Sequence, residues 1–292
     1  MSKVKLLLSL TKPRIFLAIG LTAWLGFFLK EDFFSYRFID SISLFFATVF
    51  ASASGAVFNH YFERETDALM ERTKTRPLVT ADAATLRQAL AFGFFLGLLG
   101  HGIAYFNFGW GSAFWLLMGW VNYVVFYTLI FKHNSQWNVT IGSFASAFSV
   151  LAGDTAFSGE VSMNGLILSA LLFFWNPAHF WNLAAMYQTE YEAAEIPMMT
   201  SLVGRKKVVY LILLHWALVL ACTLALWRFG TPTLGFLAGS ITIGLVLFIL
   251  NLQNLKVLSN KLFKRNFILS NIYLLVLYFT IVLDRLYPFT LS

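Results

Sequence analysis

Asn59, Glu63 and Asp67 stand four residues apart in the run Asn59-His-Tyr-Phe-Glu63-Arg-Glu-Thr-Asp67. On a helix each four-residue step drifts by about 40°. Three oxygen-bearing side chains would therefore share one face. Hard divalent cations such as Mg2+ take oxygen ligands, commonly a few carboxylates completed by substrate phosphates. Arg72, Lys74 and Arg76 follow directly, and Arg64 lies within the run. Carboxylates able to hold a metal, with Arg and Lys beside them, suit a diphosphate whose charge is neutralised as it leaves. The competing reading is a solvated helix end whose acids and bases pair with one another, the bases serving as a topology signal. Spacing alone leaves both open.

A second polar cluster is Trp175-Asn-Pro177-Ala-His179-Phe-Trp181-Asn182, followed by Glu190-Tyr191-Glu-Ala-Ala-Glu195-Ile-Pro197-Met198. On a continuous helix His179, Asn182, Met186 and Glu190 would fall within a stripe of about 80°. Pro177 is expected to kink or loosen that helix. Polar groups inside an apolar span usually face a cavity and mark function. For His179 the alternative is a core histidine bonded to a neighbouring helix. Tyr127 and Lys132 are five apart, about 140° around an α-helix, so they share a site only if that helix ends between them. Asp154 is a lone acid near the far end of a span and is expected at the exposed interface.

These residues hang on a membrane scaffold. Of 292 residues, 59% are hydrophobic and 12% charged, and the mean hydropathy is +0.71. A soluble domain carries about 25% charged residues, so a water-facing globule is excluded. Nine apolar runs are of near-membrane length: 15–30, 40–61, 88–108, 111–131, 139–158, 164–187, 208–227, 233–251 and 267–287. In lipid each is expected to be helical, because a helix satisfies its own backbone hydrogen bonds. The first run follows basic residues as a signal peptide does. It has no clear small-residue cleavage site, and it is expected to be retained as the first span. Gly93, Gly97 and Gly100 on the third run predict close helix packing. The expected fold is all-α: one polytopic domain over 1–292, a bundle of nine transmembrane helices around a central cavity.

The net charge of +7 does not call for nucleic acid, because the basic residues sit between apolar runs. The single cysteine, Cys222, excludes a disulfide framework or a cysteine metal site within one chain. With a cytoplasmic N-terminus, that side would carry Lys3, Lys5, Lys12, Arg14, Arg64, Arg72, Lys74, Arg76, Arg87, Lys132, Arg205, Lys206, Lys207, Lys256, Lys261, Lys264 and Arg265. The other side keeps Lys30, Arg37, Arg228 and Arg285, a split of seventeen to four. This asymmetry predicts an inside N-terminus and, over nine spans, an outside C-terminus. Two connections on the predicted cytoplasmic side are long, 62–87 and 188–207, and long polar loops usually carry function.

Asn59 through Asp67 with the following MERTKTRPL resembles the first acidic motif of the UbiA-type prenyltransferase superfamily, in the form found in heme O synthases. LTKPR (Leu10–Arg14), YTLIFK (Tyr127–Lys132), IGS (Ile141–Ser143), WNPAHFWNLA (Trp175–Ala184) and EYEAAEIPM (Glu190–Met198) are similar to further segments of that family, in order and over most of the chain. There are departures. Glu63 and Glu190 stand where the family usually has Asp, and the added methylene would shift metal geometry. Tyr187 and Thr189 stand where basic residues are expected. Ser149-Val150 replaces a Pro-Pro pair.

The resemblance implies an Mg2+-dependent enzyme of the bacterial inner membrane, acting on farnesyl diphosphate and heme b in the lipid bilayer. Asn59, Glu63, Asp67 and Glu190 would hold the metal, and Arg64, Arg72, Lys74, Arg76 and Lys132 would stabilise the diphosphate. Tyr127, Asn182 and Tyr191 would line the substrate site, and His179 would contact heme through its iron or a propionate. A downstream heme A synthase or terminal oxidase is the implied recipient of the product. No nucleophile or Ser/His/Asp triad is required, and none is evident. Two other readings stay open: prenylation of an aromatic quinone precursor, and a non-catalytic heme-binding or transport protein of the same fold.

Overall fold

The computed structural model describes residues 3–30, 33–230 and 234–287. Among these residues every regular element is helical. A short α1 (Lys3–Leu10) leads into α2 (Pro13–Phe28), with a bend of 53° between them. Pro13 opens α2, where its missing N–H would be unpaired in any case. Next come α3 (Phe38–Phe62), α4 (Arg64–Ala68) and α5 (Ala83–Val121), the last continued by a π-helix, Asn122–Phe131. Then follow α6 (Asn138–Gly142), α7 (Phe144–Asp154), α8 (Met163–Met186), α9 (Gln188–Ala193) and α10 (Met199–Leu202). The chain ends in α11 (Arg205–Phe229), α12 (Leu234–Lys256) and α13 (Asn260–Leu286).

Five helical stretches are long and apolar enough to cross a membrane, or six if the bent α1–α2 pair is one span. One of them, Ala83–Phe131, is 49 residues long. At 1.5 Å per residue that is more than twice the ~30 Å hydrocarbon core, so it holds more than one crossing. It breaks at Gly109 (φ 82°, ψ −172°), where the expected spans 88–108 and 111–131 meet. The expected spans 139–158 and 164–187 fall on α6–α7, each too short to cross alone, and on α8, which is long enough but less apolar than the others. Nine spans is thus a reading of the sequence pattern that helix length and hydropathy do not fix.

α3 lies along α5, and at Gly100 a Cβ atom would meet the Ala47 carbonyl oxygen at 2.6 Å. The predicted close packing of this glycine face is therefore real. α8, α11, α12 and α13 enclose the main apolar core, with Trp181, Trp216 and Tyr273 fully buried. Outward, Leu98 is 77% and Phe106 84% exposed. So much apolar surface facing out belongs to a lipid-facing wall, and the protein is an integral membrane protein.

Two expectations are corrected. Asp154 is fully buried rather than at an exposed interface; its carboxylate accepts from the Ser162 amide at 2.6 Å and from the Ser162 hydroxyl. Lys30 Nζ donates to the Asp154 carbonyl at 2.9 Å. A buried acid needs such partners, and Ser162, the N-cap of α8, supplies two. Second, α8 ends at Tyr187 (φ −109°, ψ 25°) and α9 starts anew. Glu190 therefore does not continue the helical stripe of His179, Asn182 and Met186.

Candidate active site

The first acidic face forms as its spacing predicts. The Glu63 amide donates to the Asn59 carbonyl at 3.0 Å, and the Asp67 amide donates to the Glu63 carbonyl at 2.7 Å. Asn59, Glu63 and Asp67 are thus one helical turn apart each, across the junction of α3 and α4, and all three are buried. The Thr73 hydroxyl donates to the Asp67 carbonyl at 2.9 Å and pins the following loop to this face.

Each member of the face has a basic partner. Lys12 Nζ donates to Asn59 Oδ1 at 2.6 Å, and Asn59 Nδ2 donates to the Thr128 hydroxyl at 3.1 Å. Lys132 pairs with Glu63. Arg76 Nη1 donates to both Asp67 oxygens at 2.7 Å. In the sequence Lys12 stands out only as a topology signal and as part of the LTKPR resemblance. It occupies the bend ahead of α2 with left-handed backbone (φ 52°), which carries its side chain to Asn59. Burial, with Arg76 nearby, lowers the Lys12 ammonium to about 7.

The π-helix resolves the problem of Tyr127 and Lys132. The Lys132 amide donates to the Tyr127 carbonyl at 2.9 Å, a five-residue step. In this geometry residues i and i+5 lie about one turn apart rather than on divergent faces. Tyr127 stacks on Tyr123 with ring centroids 5.7 Å apart. A Cβ at position 142 would meet the Tyr127 ring at 2.9 Å, so Gly142 makes room for it.

The second loop reaches the first through Arg72. Its backbone amide donates to Glu190 Oε2 at 3.0 Å, and its Nη2 donates to the Tyr191 hydroxyl at 3.2 Å. Its guanidinium lies 5.4 Å from the Tyr187 ring centroid and 5.9 Å from that of Tyr191. Tyr187, where the family expects a basic residue, thus offers an aromatic face to a cation from the other loop. Tyr191 is buried, which pushes its phenol up and keeps it protonated near neutral pH.

Other expected site residues lie elsewhere. Arg64 turns to the Tyr61 carbonyl and Glu65, and Lys74 to Glu71, so neither joins the buried pairs. Asn182 is fully buried between helices; its Nδ2 donates to the Ala178 carbonyl at 2.8 Å and to Asn251 Oδ1 at 3.3 Å. Asn266 Nδ2 donates to the same Asn251 oxygen. This is interhelical amide bonding, not a cavity wall. His179 is half-buried on α8 and bonded to Ser270 of α13.

Among the described residues no three His, Cys, Asp or Glu side chains converge into a metal cage. Asn59, Glu63, Asp67 and Glu190 therefore do not form a closed four-ligand site by themselves. They still fit Mg2+, which takes one or two carboxylates plus substrate phosphates and waters rather than an all-protein cage. Glu63 Oε1 is sealed in without a hydrogen-bond partner, its neighbouring base His133 Nε2 standing 3.9 Å away, and this unsatisfied oxygen suits such an ion.

Residues 16–280 match the pattern of the UbiA prenyltransferase family. The chain is 33% identical over 283 residues to the protoheme IX farnesyltransferase 1 of Paramagnetospirillum magneticum, spanning 95% of this chain and 97% of that protein. It is 38% identical over 234 residues to the protoheme IX farnesyltransferase of Paenarthrobacter aurescens, spanning 78% and 71%. A solved digeranylgeranylglyceryl phosphate synthase superposes with a TM-score of 0.78 at 15% identity, covering 97% of this chain and 98% of that one. A UbiA homologue from Archaeoglobus fulgidus bound to DMAPP and Mg2+ superposes with a TM-score of 0.71 at 16% identity, covering 94% and 99%. At such identities the structural likeness speaks for the fold.

Proposed function

The chain belongs to the UbiA prenyltransferase family and, within it, to the protoheme IX farnesyltransferases; on that premise we propose that it transfers the farnesyl group of farnesyl diphosphate to a vinyl group of heme b, with addition of water, to give heme O. The observation that carries this reading is the joining of two distant motifs, the Asn59–Asp67 face and Glu190, through Arg72. Lys12, Arg76 and Lys132 line the same face as ready counter-charges for a diphosphate.

In the proposed reaction the bond between farnesyl C1 and oxygen breaks, and its electron pair leaves with diphosphate. The vinyl π pair forms the new carbon–carbon bond to C1. Water then adds to the cation left on the former vinyl group and loses a proton to solvent. Asn59, Glu63, Asp67 and Glu190 would hold Mg2+, which when bound neutralises diphosphate charge. Arg76, Lys132 and Lys12 would turn from the carboxylates and Asn59 to the diphosphate and stabilise its charge by charge-assisted hydrogen bonds. The Arg72 contact with Glu190 and Tyr191 would hold the two loops together over the head group and keep water from the allylic cation. The charge asymmetry supports a site facing the cytoplasm.

The test is incubation of the purified protein with heme b, farnesyl diphosphate and Mg2+, with mass spectrometry of the heme. A heme heavier by one farnesyl group and one hydroxyl is expected. Unmodified heme alongside a prenylated phenol from a supplied quinone precursor would refute the assigned acceptor.

A further inference from the structure

Ser270 and His179 form a directed pair between α13 and α8. The Ser270 hydroxyl has a single proton, and it donates to the Phe267 carbonyl at 2.7 Å. Toward His179 that oxygen is then an acceptor, so the 2.6 Å contact assigns the proton to His179 Nδ1. The Ser270 carbonyl is fixed in turn by the Trp175 indole at 3.0 Å. Trp175 and Phe267 both stack on the imidazole, at centroid distances of 4.6 and 4.3 Å and interplanar angles of 14° and 26°. One face has no room for two parallel rings, so the imidazole is sandwiched and cannot turn over.

Nε2 is what remains. In this tautomer it carries a lone pair and no proton. It has no hydrogen-bond partner among the described residues, and it is not among the sealed polar atoms, unlike both ring nitrogens of His60 and Nε2 of His101. A histidine serving only as packing has no need of a fixed tautomer with an open Nε2. A metal-ligating histidine characteristically has its other N–H held by an outer partner, and neutral imidazole is a common ligand of heme iron.

Resting on the heme acceptor proposed above, we propose that Ser270 is a positioning residue that locks His179 as the Nδ1–H tautomer, so that His179 Nε2 ligates the iron of the acceptor heme. Ligation would hold the porphyrin against the Trp175–Phe267 wall while its vinyl group faces the allylic donor.

The full chain is titrated with ferric heme b and read by optical absorption and electron paramagnetic resonance, with thermal melting in parallel. The wild type is expected to give the spectrum of histidine-ligated iron. His179→Ala loses that spectrum, and added free imidazole restores it. Ser270→Ala weakens heme binding roughly tenfold, as loss of an outer partner does, and alters the spectrum. Ser270→Thr, which keeps the hydroxyl, behaves as wild type. Should His179→Ala not fold, His179→Met fills the space and gives the spectrum of a thioether ligand instead. A wild-type spectrum in His179→Ala or His179→Met overturns the iron assignment, also where affinity falls, which would make His179 a propionate partner. An unaltered spectrum and affinity in Ser270→Ala overturn the positioning role. Wild type that ligates heme through His179 but yields no farnesylated product counts against the activity and not against this site.

Discussion

The backbone amide of Arg72 donates to Glu190 Oε2 at 3.0 Å, joining two residues 118 positions apart in the chain. Among the described residues Glu190 is the acid of the second loop that hydrogen-bonds to the first. A hydrogen bond to a charged group contributes about 1.5–3 kcal/mol. Glu190→Ala is therefore expected to lower kcat/KM for farnesyl diphosphate by roughly tenfold to a hundredfold. Steady-state kinetics at saturating heme check this. An unchanged kcat/KM in a folded variant would detach the second loop from the site.

The pair Lys132–Glu63 separates structure from chemistry. Glu63 is 2% exposed, and removing its cation leaves a buried charge, at a cost of about 3–5 kcal/mol. Lys132→Met should melt well below the wild type. Adding Glu63→Gln should recover most of that stability, because the stranded charge is gone. Turnover should stay lost in the double variant. A double variant as active as wild type would show that the pair serves folding alone.

Asp67 accepts twice from Arg76 and is 3% exposed. Asp67→Asn keeps the shape but removes the charge, and it should abolish turnover while the protein still folds. Glu63→Asp should be tolerated, since Asp is the family's usual residue there. Chelation of divalent metal should stop turnover, and added Mg2+ should restore it. Farnesyl transfer measured beside thermal melting decides each arm, and full activity of a chelated enzyme would sink the metal assignment.

Orientation is open to direct measurement. The split of seventeen basic residues against four predicts that 62–87 and 188–207 are cytoplasmic. Reporter fusions after Gly159 and after Arg205 should report opposite sides of the membrane. If both report the same side, α8 does not cross and the nine-span reading fails.

The sequence by itself determined what depends on local order. Apolar runs dictate lipid-facing helices because each helix closes its own hydrogen bonds. A four-residue repeat puts Asn59, Glu63 and Asp67 on one face whatever surrounds them, and the motifs there and at 175–198 carry the family resemblance. The tertiary structure decided who meets whom. No periodicity says that Lys12 reaches Asn59, or that the backbone amide of Arg72 meets Glu190 while its guanidinium lies over Tyr187. The π-helix that aligns Tyr127 with Lys132 and the helix break at Tyr187 change the angle per residue, so projections from an ideal α-helix fail there. Asn182 and Asp154 look alike in sequence to cavity or surface groups, yet both are buried. A polar side chain in a membrane helix takes its role from the helix packed against it, and that contact is fixed by residues far away in the chain.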